Sequence, residues 1–84
     1  MYLTVQGLVL RVKAYNDTDA LLTLLTKNHG KITVKARGVK RKNSPLIAPC
    51  QLLSYGVFTL YEYRSMYTIN EASVLEMFQL LRKD

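Results

Sequence analysis

The chain has 84 residues, enough for one small domain with a modest core and too few for a separate catalytic domain. Its apolar fraction of 49% and charged fraction of 21% are those of an ordinary soluble globular chain rather than a disordered tail. Twelve Lys and Arg against six Asp and Glu give a net charge of +6, and no apolar run approaches the roughly 20 residues needed to cross a bilayer.

The N-terminus MYLTVQG carries no signal-peptide pattern, so the expectation is a cytoplasmic protein without membrane contact. From Leu3 to Ala14 the chain alternates for most of its length, which predicts a strand with Leu8, Leu10 and Val12 on one face and Val9, Arg11 and Lys13 on the other. Gly7 lies inside that strand and marks a bulge or bend of the kind a small barrel needs to curve. Tyr15-Asn16-Asp17-Thr18-Asp19 follows, with short side chains that bond to local backbone and so favour a turn. Asp17 and Asp19 lack the further oxygen ligands and the glycine of a calcium loop, and are read as turn residues.

Ala20 to Thr26, ALLTLLT, satisfies either a helical or a strand period. Its context decides for a strand, because the turn Asn28-His29-Gly30 and the alternating run Lys31 to Arg37 come next, and together they predict an antiparallel hairpin. His29 has no second catalytic group near it in sequence and reads as a surface turn residue.

In that alternating run Ile32, Val34 and Ala36 share one face, with Lys31, Thr33, Lys35 and Arg37 on the other. Beyond Gly38, the aperiodic Lys40, Arg41 and Lys42 suit a solvated loop. These six cations have no acid among them, whereas Arg11, Lys13, Lys27, Arg64, Arg82 and Lys83 are balanced by Asp17, Asp19, Glu62, Glu71, Glu76 and Asp84. The net charge is therefore localised. One isolated charge run is ordinarily a solvated face, but a strand and a loop of one sign together point to a polyanionic partner.

Asn43-Ser44-Pro45 breaks regular structure, and the proline-bounded Leu46-Ile47-Ala48-Pro49 is expected to plug one end of the core. Cys50, the sole cysteine, can form no internal disulfide and with His29 makes too few soft ligands for zinc; it reads as a small buried apolar residue. Cys50 to Tyr63 predicts a long strand bent at Gly56, and after a turn at Arg64-Ser65 the run Met66 to Asn70 predicts a fifth. Tyr55, Phe58, Tyr61, Tyr63 and Tyr67 cluster in this hairpin, mostly as core or rim residues. Ser73 and Glu76 match a capping box, and Leu75, Phe78 and Leu81 recur at helical spacing, so a helix is expected from Ser73.

Five strands with bends at Gly7 and Gly56 fit an all-β, five-stranded OB-fold barrel over residues 1–72, followed over 73–84 by the start of a helix leading toward a further, absent domain. An SH3-like barrel fits the same pattern. In an OB-fold the second and third strands form the usual ligand face, and there the basic stretch falls. The candidate mechanism is phosphate neutralisation with counterion release, which gives affinity with little sequence preference. Two rivals use the same cations: a protein-interaction module for an acidic partner, and an RNA-binding OB domain. Exposure of Tyr61 or Tyr63 beside the basic strand would favour base stacking. With one His, one Cys and no clustered carboxylates there is no acid–base or nucleophile set, so no enzyme, metal or cofactor is expected.

Taken in order, several short motifs span most of the chain: Gly7-x-Val9-Leu10, Tyr15-x-Asp17-x-Asp19, Leu24-x-Thr26 running to Gly30-Lys31, Ala36-x-Gly38-x-x-Arg41 with Ser44 following, and the leucine-rich fourth strand. The succession resembles the N-terminal domain family of the bacterial recombination mediator RecO, and the ending EASVLEMFQLLRKD resembles that family's passage into its helical domain. The resemblance implies an OB-fold that binds single- and double-stranded DNA, within a nucleoid-associated protein that anneals complementary strands. It also implies help in displacing single-strand binding protein so that recombinase can load, with RecR as a further partner of the full-length protein. It implies no bond-making activity. The helical region, with its zinc-binding cysteines where these occur, lies outside these residues. The positions carried over as DNA contacts are Lys31, Lys35, Arg37, Lys40, Arg41 and Lys42.

Overall fold

The expected hairpin forms with the expected register. In a computed structural model that describes residues 2–77, β2 (Ala20–Thr26) pairs antiparallel with β3 (Gly30–Ala36), from Ala20 opposite Ala36 to Thr26 opposite Gly30. Gly30 takes a φ of +64°, as the turn demands, and the Thr26 hydroxyl holds the turn from below. Its Oγ1 donates to the Gly30 carbonyl at 2.8 Å and accepts the His29 backbone N–H at 2.9 Å.

The remaining strands are β1 (Tyr2–Ala14), β4 (Ser54–Tyr63) and β5 (Met66–Met77). They close a barrel in the order β1-β2-β3-β5-β4, with β4 returning to β1. Every ladder is antiparallel except the short β3–β5 seam, where Val34 and Lys35 face Tyr67 and Thr68 in parallel. A parallel pair cannot be joined by a tight hairpin. Here the chain reaches β5 through residues 37–53 and all of β4, which yields the OB-fold rather than the SH3-like alternative.

The core is made by inward-facing residues of all five strands, among them Val5, Val9, Leu22, Leu24, Val34, Phe58, Leu60 and Ile69. The proline-bounded segment closes it as expected, with Leu46 and Cys50 both buried in the cluster. Burial pushes the Cys50 thiol up to about 12, so it behaves as an apolar filler and not as a thiolate.

In β1 the inward face is Val5, Gly7 and Val9, while Leu8 and Leu10 are half-buried and Val12 is exposed. Three sequence expectations are corrected. The bulge of this strand falls between Val9 and Arg11, not at Gly7, because β1 must leave its pairing with β4 and continue along β2. The fourth strand begins at Ser54, and residues 50–53 are turns, tied to β1 by the Leu53 N–H donating to the Val9 carbonyl at 2.8 Å. Finally, the helix expected from Ser73 does not start there, since Ser73 to Met77 continue β5. Pairing of Val57 with Ser73, Gly56 with Val74 and Ser54 with Met77 takes up the backbone groups a helix would have needed. Residues 78–84 of that expected helix lie outside the described residues.

Gly56 is where this closure is tightest. It sits opposite Gly7 across the β1–β4 ladder, and a Cβ on it would overlap the Ser73 carbonyl oxygen. That neighbour is backbone in a ladder and has little room to give. Gly56→Ala is therefore expected to destabilise the barrel by about 3 kcal/mol, the upper range of overpacking costs. Denaturant unfolding checks it, and a variant as stable as the parent would contradict this packing.

Candidate nucleic-acid interface

The basic loop is positioned by one carboxylate from the far side of the sequence. Asn16 first shapes the β1–β2 turn, its Oδ1 accepting the backbone N–H of Thr18 at 2.9 Å and of Asp19 at 2.8 Å. The half-buried Asp19 then accepts the Gly38 N–H on Oδ1 at 2.7 Å, while Thr18 Oγ1 donates to the same oxygen and Asn16 Nδ2 to Oδ2, each at 3.1 Å. Gly38 has a φ of +67°, which turns the chain out of β3. From there the loop is knit by short backbone bonds, Arg41 N–H to the Gly38 carbonyl at 3.0 Å and Ser44 N–H to the Arg41 carbonyl at 3.2 Å. A second strap runs from the Lys40 N–H to the Thr18 carbonyl at 3.0 Å.

These bonds hold the Asp19 carboxyl below its ordinary 3.8: the Gly38 N–H contributes most, then Asn16, with smaller help from Thr18 and the Lys35 charge and with partial burial opposing. No local pattern in the sequence signals the contact to Gly38, 19 residues away. Asp19 reads as a turn residue, which it is, but it is also the clamp on the basic loop.

The six predicted cations do not form one patch. Arg37, Arg41 and Lys42 line an open cleft of about 990 Å³. Lys35 is drawn to the side, its Nζ 4.7 Å from the centre of the Tyr15 ring, and Lys40 leans to the Asn16 carbonyl at 3.5 Å. Lys31 stands at the opposite end of β3, about 20 Å from Arg37 at the ordinary strand rise.

What the cleft gains instead is aromatic. Tyr61 and Tyr63 line it, 40% and 59% exposed, and so does Tyr2, whose ring centroid is 5.2 Å from that of Tyr61 at an interplanar angle of 57°. Arg64 places its guanidinium 5.2 Å from the Tyr63 ring centre. Arg64 and Ser65 both have positive φ, 52° and 66°, in the two-residue turn that joins β4 to β5. Tyr2 and Arg64 were not among the predicted site residues. Tyr2 joins the site only because β1 pairs it with Tyr61, and no local signal in the sequence carries that register. Among the described residues no cluster of His, Cys, Asp and Glu is placed to hold a metal ion, and no helix is long and apolar enough to cross a membrane.

The closed five-stranded barrel, with guanidinium, ammonium and tyrosine side chains in one open cleft, defines a member of the OB-fold class. More particularly, residues 1–78 match the family described as recombination protein O N terminal, and the chain belongs to that family. Among its relatives, the DNA repair protein RecO of Alkaliphilus metalliredigens is 42% identical over 84 residues, all of this chain and 34% of that protein. The protein of the same name from Acetivibrio thermocellus is 39% identical over 83 residues, covering 99% of this chain and 33% of the relative. That of Bacillus subtilis is 38% identical over 79 residues, covering 94% and 31%. The chain thus spans about a third of the length of these curated relatives.

The depressed Asp19 carboxyl gives a signed expectation. A group with a lowered folded-state pKa contributes stability that is fully present above its unfolded value and is lost as pH falls through the folded one. Asp19→Ala should therefore be less stable than the parent at neutral pH, and the gap should narrow as pH drops below 3.8. Thermal melts across that range check it; equal melting temperatures at pH 7 would contradict the clamp.

Proposed function

We propose that this domain binds DNA without sequence preference, on single and double strands, in support of DNA repair. The observation that carries this reading is the convergence of Arg37, Arg41 and Lys42 with Tyr2, Tyr61 and Tyr63 in one open cleft. Cations alone would suit any polyanion. Exposed tyrosine faces beside them suit a nucleic acid strand, because a base stacked on an aromatic ring is worth about 1–3 kcal/mol whatever its identity. That combination favours DNA over an acidic protein segment, and the repair proteins to which the chain is similar favour DNA over RNA.

The mechanism is electrostatic first. Arg37, Arg41 and Lys42 neutralise phosphates and release condensed counterions, and the tyrosines then hold unpaired bases. A strand held by its phosphates keeps base edges free, and a basic surface lowers the repulsion between two strands, which is the physical basis for annealing. Strand annealing, recombinase loading, and contacts with RecR and single-strand binding protein are roles proposed for the longer protein to which such a domain belongs. No step here requires a bond to be made or broken.

Salt titration of binding to single-stranded and duplex oligonucleotides tests the reading. Three phosphate contacts on a single strand give a slope of log affinity against log salt of about −2, and all six predicted cations would give about −4. Replacing Arg37, Arg41 and Lys42 by alanine should remove about 2 from that slope and weaken all sequences alike. A slope near zero for the parent chain would refute the proposal.

A further inference from the structure

We infer that the DNA track does not end at the cleft but continues over the outer face of β1 and β4 to a second phosphate-binding pocket at the β2–β3 turn. This rests on the DNA-binding reading above and adds a site to it. The second pocket has a volume of about 310 Å³ and is lined by Thr4, Val5, Gln6, Val57 and the turn residues Lys27, Asn28 and His29. No carboxylate is among those lining residues, so Lys27 meets no local acid there.

The chemistry of the wall suits a phosphate. Thr4 offers a hydroxyl and Lys27 an ammonium group. Gln6 is oriented by Tyr55, whose hydroxyl donates to Oε1 at 3.0 Å, and this leaves the Gln6 amide NH₂ as a donor. The turn is held by backbone, with the Lys27 N–H donating to the Gln6 carbonyl at 3.1 Å and the His29 N–H to Thr26 Oγ1.

The two sites are joined by one ladder. Tyr2, Thr4 and Gln6 are successive outward residues of β1, and they pair with Tyr61, Thr59 and Val57 of β4. The first of these pairs lies in the cleft and the last reaches the pocket. Thr4 and Thr59 between them are uncharged, and the one carboxylate bordering the strip is the exposed Glu71 of β5, paired with Thr59, which keeps a strand on the β1 side. From Tyr2 to Gln6 is about 13 Å at the rise of a strand, the span of about four stacked nucleotides. A single strand seated on the tyrosines in the cleft can therefore place a phosphate at Lys27 without leaving the surface.

Binding by oligonucleotide length tests this on the whole chain. Oligothymidylates of about four and about eight nucleotides separate the cleft from the longer track. The parent should bind the longer strand about tenfold more tightly, and Lys27→Ala with His29→Ala should abolish that gain while leaving the shorter strand unaffected. The salt slope for the longer strand should fall by about 1 in the variant. Both substitutions leave the backbone bonds of the turn in place, and a circular dichroism melt verifies that the variant is folded. Arg41→Ala, in contrast, should weaken both lengths. A folded variant that keeps the gain, or loses equally at both lengths, overturns the second site. A parent that binds neither length overturns the DNA-binding reading itself, and this inference with it.

Discussion

Everything in this domain depends on closing five strands into a barrel, and that closure includes a point where β4 leaves no room for a side chain against β5. Gly56 permits that approach, because any side chain there would meet the Ser73 carbonyl. Opposite Gly56 is Gly7, so two residues without side chains face each other across β1 and β4. The consequence is felt far away. With β1, β4 and β5 in this register, Tyr2 lies beside Tyr61, and Tyr61 and Tyr63 share a cleft with Thr68 and Asn70 of β5.

The second constraint is local and polar. A loop carrying Lys40, Arg41 and Lys42 repels itself, and nothing in its own sequence would fix it against the barrel. Asp19 does so from the β1–β2 turn, spending its carboxylate on the Gly38 N–H at the point where the chain leaves β3. One acid thereby anchors the loop through its backbone and leaves Arg41 and Lys42 at the cleft. The result differs from an even basic face: Arg37, Arg41 and Lys42 are gathered with aromatic rings, Lys35 and Lys40 turn to Tyr15 and Asn16, and Lys31 stands at the far end of β3.

Much of the fold was legible in the sequence because it is written in short-range pattern. Alternation in Lys31 to Arg37 and the glycine at position 30 define the β2–β3 hairpin, and the bracketing prolines mark the segment that plugs the core. Period alone misled where two patterns overlap. Ser73 to Met77 fit a capped helix, yet their backbone groups are taken by β4. In β1 alternation separates two faces without saying which is inward, and the barrel buries the one with Val5, Gly7 and Val9. For the site, charge along the chain identified the loop, whereas Asp19 and Tyr2 act through contacts between distant segments. Their roles depend on a register that no local signal encodes.

The central claim is that the Gly38–Lys42 loop and the tyrosines of β1 and β4 make one surface for DNA. Amide chemical-shift mapping tests it most directly: the ¹⁵N-labelled chain is titrated with a single-stranded oligonucleotide at low salt, then returned to high salt. The account predicts that the largest shifts fall on residues 38–42 and 61–64, and that salt reverses them. Shifts confined to the far turns at residues 50–53, or none at all, would contradict it.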